Sequence, residues 1–280
     1  MTTAREHTRG ERVLILGSSP AAAALGRALR LAGARVEDAG VDAVTDVPLD
    51  PSITLILLAL PIRDVPQALA RIGPALPEGA VLVDLAPLML PSATAVRGVP
   101  GLAERFVSAH PILEDAADRS AGHATGSGAG APDPVAGATV FLGAPLAAGS
   151  PAARVARLLE SLGARTEAIA PALHDALVAL THHLPILSAA ALTRALRRTG
   201  SLTRAVAPGA GTALADATRP ASGRSDLAAE VLLLSAPKLL PALEILEREV
   251  RRLRHALEAG GDELRTLLEE AREFRRELVA

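Results

Sequence analysis

Val13-Leu14-Ile15-Leu16-Gly17-Ser18-Ser19-Pro20-Ala21-Ala22 is the stretch on which the fold class turns. Four apolar residues run into a glycine, and an Ala/Leu-rich segment of helical character follows to about Ala32. A strand that is apolar at every position is buried on both faces, as in a parallel sheet covered by helices. Further runs occur at Ile53–Leu60 and Val81–Leu85, with a shorter mixed one at Arg105–Ala109. Helical patterns such as Val65–Ile72 lie between them, so the order reads as βαβ units in an α/β, doubly wound parallel sheet. Ala138–Leu142 reads as a strand, Pro151–Leu162 as a helix and Ala164–Ile169 as a last strand, whereas Glu114–Gly137 has no periodicity and reads as a surface loop.

After Pro171 the pattern is helical throughout. Pro171 suits a first helical turn. That helix is expected to run toward Arg198 with Pro185 inside it, where a proline deletes the bond to the Thr181 carbonyl at a cost of about 3 kcal/mol. Ser201–Gly223, rich in Gly, Ala and Pro, is expected to be irregular. Leu239, Leu243, Leu246, Val250, Leu253 and Leu257 alternate steps of four and three, which makes a coiled-coil-like seam. Gly260-Gly261 break it, and Asp262 can cap a last helix. A seam this apolar is expected to be covered, either by a second copy of the chain in a homodimer, the reading preferred, or by packing within its own subunit. The domain expectation is an α/β domain over residues 1–170 and an all-helical domain over 171–280.

Composition narrows the function classes. Of 280 residues 49% are apolar, so a large core is available, and the net charge of −2 provides no field for nucleic acid or anionic lipid. Stacking platforms for single strands are missing, since there is no Trp or Tyr. The absence of Cys removes disulfides, thiolate nucleophiles and zinc–cysteine sites. The polar start MTTAREHTRGER has no signal-peptide core, and Ile53–Leu60 is too short to span a bilayer. These features give the expectation of a cytoplasmic protein without membrane or nucleic-acid partners. An anionic small molecule would have to be held by particular arginines.

In open α/β sheets ligands bind outside the carboxyl ends of the strands. The runs end at marked residues there: Gly17, Leu60-Pro61, Asp84 and His110. A dinucleotide turn wants G-x-G-x-x-G, so that backbone can approach a pyrophosphate at a helix N-terminus. Here only Gly17 of the three glycines is present, in Gly17-Ser18-Ser19-Pro20-Ala21-Ala22, and Pro20 removes an amide. Asp38 lies near the spacing of an acid that would bind the adenine ribose. His110 suits a general base that works near neutral pH. No metal site, Ser/His/Asp triad or P-loop is present in the sequence.

Taken together, Phe106-Val107-Ser108-Ala109-His110-Pro111, the stretch HDALVALTHHLP from His174 to Pro185, and DATR from Asp216 to Arg219 resemble the prephenate/arogenate dehydrogenase family of tyrosine biosynthesis. The resemblance implies a Rossmann-type domain followed by a helical dimerisation domain, with NAD or NADP as cofactor. It implies oxidative decarboxylation of prephenate or arogenate, His110 as the catalytic base, and Arg219 on the substrate's carboxylate. His183 matches the H-L-P of the family's S-H-L-P-H and is the substrate-side candidate. Gly17, Ser18, Ser19, Pro20, Ala21, Asp38, Leu60, Pro61 and Asp84 fall on the cofactor side, although alignment to the family brings the ribose-binding position nearer Gly40. His174-Asp175 matches the family's H-D and reads as a contact near the domain junction.

The chain also departs from the family pattern. In Asp84-Leu85-Ala86-Pro87-Leu88-Met89, Pro87 replaces the serine that orients the catalytic histidine, and Met89 replaces a lysine. His110 is therefore expected to lack that supporting partner. Ile186 stands for the family's second histidine, and Pro220 is expected to push Arg219 toward extended backbone. Two further readings stay open: an impaired paralogue with a binding or regulatory role, and a dehydrogenase of another hydroxy acid.

Overall fold

In this computed structural model, the described residues are 8–40, 49–113, 135–199, 209 and 211–278. The chain forms two compact units, Met1–Leu177 and Val178–Ala280. Among the described residues the first unit holds β1 (Arg12–Gly17), α1 (Pro20–Ala32), β2 (Arg35–Ala39), β3 (Leu55–Ala59), α2 (Val65–Ile72), β4 (Val81–Asp84), α3 (Leu90–Ala95), β5 (Phe106–Ile112), β6 (Thr139–Leu142), α4 (Pro151–Ser161), β7 (Arg165–Ala168) and nearly all of α5 (Pro171–Val178). The strands form one sheet in the order β2-β1-β3-β4-β5-β6-β7.

Alternation along the strands builds the two faces of this sheet. Val13, Ile15, Leu55, Leu57, Val81 and Val83 meet α1 and α4 in one core, while Leu14, Leu16, Ile56, Leu58 and Leu82 meet α2 in the other. That is why β3 and β4 are apolar at nearly every position: both of their faces are covered. The Rossmann-type reading is borne out, with one difference. Every pair is parallel except β5–β6, where His110 lies opposite Phe141 in an antiparallel ladder. The strand β2, RVEDA, lies at the sheet edge with charged, exposed positions and so has no apolar run to announce it.

Both helices of the first core begin with the same device. Ser19 and Ser150 accept hydrogen bonds from the amides of Ala22 and Ala153, and a proline follows at the first helical position. The surface-loop expectation for Glu114–Gly137 falls almost wholly outside the described residues.

The described part of the second unit is helical: α6 (Leu184–Arg197), α7 (Thr212–Thr218), α8 (Ser225–Leu234), α9 (Ala236–Ala259) and α10 (Asp262–Leu278). The strain expected at Pro185 is relieved by a wide π-helical turn, Ala179–His183, after which Pro185 falls in the first turn of α6. The wider turn lets the helix run on through a residue that has no amide to donate. Of the segment Ser201–Gly223 expected to be irregular, residues 201–208 and 210 lie outside the described residues, and the rest contains α7 and a 3-10 turn, Arg219–Ser222. Its alanines favour helix where the glycines and prolines beside them do not. Gly260 and Gly261, both at positive φ, separate α9 from α10 as expected.

The helical stretch Pro171–Arg197 is apolar and long enough to cross a bilayer, with mean hydropathy 1.5 over its best window. The expectation drawn from Ile53–Leu60 alone overlooked it. Thr181, His182 and His183 lie near its middle, and such groups are costly in hydrocarbon.

Candidate active site

The turn after β1 is fixed by packing. Gly17 has φ +89°, and a Cβ placed there would lie 2.5 Å from the Ala59 carbonyl oxygen at the end of β3. The next amide, that of Ser18, donates to the same carbonyl at 3.0 Å. Only glycine fits this site. β1 and β3 are the strands between which the sheet order reverses, so the turn sits at the topological switch point.

Within the first turn of α1, Pro20 has no amide, Ala22 donates to the Ser19 hydroxyl at 3.1 Å and Ala23 to the Ser19 carbonyl at 2.9 Å, which among the described residues leaves the amide of Ala21. No acidic residue lies in that turn. The glycine expected near Ala22 for close helix–strand packing stands one helical turn later. A Cβ on Gly26 would come within 2.8 Å of Ile15 Cδ1. Sequence reasoning missed Gly26, although its spacing of four from Ala22 keeps it on the same helix face.

Asp38 lies within β2, and its carboxylate is paired with Arg30 at the exposed sheet edge. Leu60 is buried beyond the end of β3, and Pro61 opens a 3-10 turn whose last amide, that of Asp64, returns to the Pro61 carbonyl at 2.9 Å. Asp84 ends β4 and is buried. Its Oδ1 accepts the Ala86 amide at 3.1 Å, while Oδ2 has no partner among the described residues. Burial pushes this carboxyl up to about 6; the Ser92 hydroxyl and the Ala86 amide oppose the rise.

His110, half-buried, lies near the carboxyl end of β5. Its Nδ1 lies 3.0 Å from Nε2 of His174, with the rings edge to face at 80°. His174 is 0% exposed, and Phe141 of β6 packs its ring edge-to-face against it, with centroids 5.7 Å apart. The far nitrogen of His174, Nδ1, lies 2.9 Å from Oδ1 of Asp175, which is 5% exposed. Asp175 is held in turn by two backbone donors: the Met89 amide reaches Oδ1 at 2.8 Å and the Leu90 amide reaches Oδ2 at 3.0 Å.

Pro87 offers no hydroxyl, but His174 supplies a buried partner. His174-Asp175, read from the sequence as a contact near the domain junction, is anchored on the loop where Pro87 and Met89 stand. The available signal was the His-Asp pair itself; its partner 64 residues away could not be read from spacing.

The substrate-side candidates lie in the second unit. Arg219, the residue after α7, is in α-helical conformation, φ −53° and ψ −42°, and not in the extended form expected before Pro220. Pro220 falls in the first turn of the following 3-10 segment, where its fixed φ is compatible with a helical path. The Arg219 guanidinium lies 3.4 Å from Asp216 Oδ1. His183 is 4% exposed and shares a 2.9 Å hydrogen bond with the Ser235 hydroxyl, whereas His182 meets the Thr181 hydroxyl at 2.8 Å. Among the described residues no group of three or more His, Asp or Glu could hold a metal ion.

Residues 170–270 match the family model of the prephenate dehydrogenase dimerization domain. The motif resemblance, drawn largely from His174–Pro185 and Asp216–Arg219, is borne out in the region that contains both.

The chain is similar in fold to prephenate dehydrogenase from A. aeolicus, solved with hydroxyphenyl propionate and NAD+ (TM-score 0.74, 21% identity, 96% of this chain and 98% of that one). It is likewise similar in fold to Synechocystis arogenate dehydrogenase (TM-score 0.71, 21% identity, 95% and 99%). No curated protein sequence matches the chain.

Proposed function

We propose that the protein oxidises prephenate or arogenate, with NAD or NADP as hydride acceptor, in the cytoplasmic synthesis of tyrosine. The observation that carries this reading is His110, set at a strand end of a Rossmann-type sheet and engaged by the buried His174-Asp175 pair, in a chain with the prephenate dehydrogenase dimerization domain.

The residues present fit a dinucleotide. The Gly17 turn keeps the chain close to β3, the helix start beside it has no acidic side chain, and the Ala21 amide is available to an anionic phosphate. When bound, the nicotinamide supplies the carbon that accepts the hydride. His110 takes the proton of the ring hydroxyl as the carbon bearing it is oxidised. Departure of the ring carboxylate as CO2 then leaves an aromatic ring, which makes the reaction irreversible. From the second unit the resemblance assigns Arg219 to the remaining carboxylate, a task suited to its planar guanidinium, and His183 to the substrate side.

The dimerization domain also supports a homodimer. On α9 the seam is buried at Leu239 (4%) and exposed at Val250 (58%), Leu253 (38%) and Leu257 (69%), and Leu240 and Ile245 are exposed beside it. Apolar surface of this kind is suited to a second protein surface. Light scattering on the intact protein is expected to give twice the 28.6 kDa chain mass.

The deciding assay combines purified protein with prephenate or arogenate and with NAD or NADP, and follows the reduced nicotinamide band. Turnover of one pair supports the reading. A folded dimer that binds nucleotide and turns over neither substrate would favour an impaired paralogue.

A further inference from the structure

We propose that His174 and Asp175 are positioning residues that set the protonation pattern of His110, holding a proton on its Nδ1 and leaving Nε2 as the basic nitrogen. This rests on the reading of His110 as the base, but it concerns a different property of that ring.

The direction of the chain of hydrogen bonds follows from its anchored end. Asp175 Oδ1 and Oδ2 both accept backbone amides, from Met89 and Leu90. A carboxylate used this way is an acceptor on both oxygens. The ring nitrogen 2.9 Å from Oδ1, Nδ1 of His174, is therefore the donor. In a neutral imidazole with its proton on Nδ1, Nε2 is an acceptor. That acceptor lies 3.0 Å from His110 Nδ1, which must carry a proton to make the bond. The lone pair of His110 then falls on Nε2, the nitrogen on the other side of its ring. When Nε2 gains a proton, the new positive charge stays hydrogen-bonded through Nδ1 to a ring backed by a carboxylate.

The anchor also accounts for Pro87. A serine hydroxyl at that position is not needed to orient His110, since the loop that carries Pro87 instead gives its Met89 and Leu90 amides to Asp175.

Ring-nitrogen NMR on the full-length protein labelled with 15N-histidine tests the proposal, with resonances assigned by removing the seven histidines one at a time. At a pH where imidazoles are neutral, His110 is expected to show the Nδ1–H form. Asp175→Asn places an amide beside His174, lets that ring protonate on Nε2, and is expected to convert His110 to the Nε2–H form. Its kcat should then fall on the order of 10²-fold with KM changed less than about three-fold, the loss typical of a misplaced base. His174→Gln keeps an acceptor for His110 Nδ1–H and is expected to preserve the form and part of the rate; His174→Leu preserves neither.

An Nε2–H form of His110 in the native protein would overturn the proposal, as would a doubly protonated His174 or a His110 spectrum unchanged in Asp175→Asn. The spectra do not depend on turnover. The expected pattern in a protein inactive on both substrates upholds the positioning role and removes the function reading. Turnover without the pattern does the reverse.

Discussion

The turn after β1 and the histidine cluster near the end of β5 both lie at strand ends of one sheet, yet they are built in different ways. The turn is mostly local. Its Ser19 cap and first helical amides bond within four residues of one another, and the one distant group, the Ala59 carbonyl, is brought in by the strand pairing itself. The cluster is assembled from afar: His110 meets His174 across 64 positions, and Met89 meets Asp175 across 86. A local site tolerates substitutions that keep backbone geometry. A long-range site depends on the chemistry of each partner.

The sharpest test of this difference is at His110. His110→Asn keeps a hydrogen bond to His174 but cannot take the substrate's proton, so kcat is expected to fall by about 10²–10⁴ with unfolding free energy nearly unchanged. Steady-state kinetics paired with urea unfolding checks both halves. A full rate in this variant would move the base elsewhere, with His183 next to be tried.

Gly17→Ala should show the opposite signature. The left-handed φ and the collision with the Ala59 carbonyl are expected to lower stability by about 3 kcal/mol and to weaken nucleotide binding with it. Ordinary stability and affinity in this variant would mean that the turn is looser than its packing implies.

Asp84 gives a pH-dependent comparison. Its folded-state pKa, about 6, stands above its ordinary 3.8 because burial disfavours the charge. The folded chain thus holds this proton more tightly than the unfolded one, and stability is lost as pH rises from about 4 to 6. Asp84→Asn has no such penalty. It is expected to match the native protein near pH 4 and to exceed it at pH 7.5 by up to about 3 kcal/mol in urea unfolding. A difference independent of pH would show that the carboxyl is not the cause.

The smallest effect is at the Ser19 cap. Ser19→Ala should cost about 1 kcal/mol, whereas Ser19→Gly should cost a few tenths and release the Ala22 amide. Calorimetry is then expected to show tighter nucleotide binding by Ser19→Gly than by the native chain. Ala22→Gly, at a buried helical position, should only destabilise, by about 1 kcal/mol. Tighter binding by Ala22→Gly would place the missing family glycine there after all.

The sequence by itself determined the Rossmann-type sheet, the helix Val65–Ile72, the break at Gly260-Gly261 and the strand end that carries His110. These follow from periodicity and from residues with few conformational options, and they act over a few positions. It did not reveal β2, whose polar edge has no apolar run, or the reversal of β6, since a strand's pattern is the same in either direction. The tertiary structure alone decided that His174 and Asp175 stand behind His110 and that Asp84 is buried, with no partner for Oδ2 among the described residues. Both depend on which side chains share a buried space, and burial is a property of the packed chain and not of any one segment.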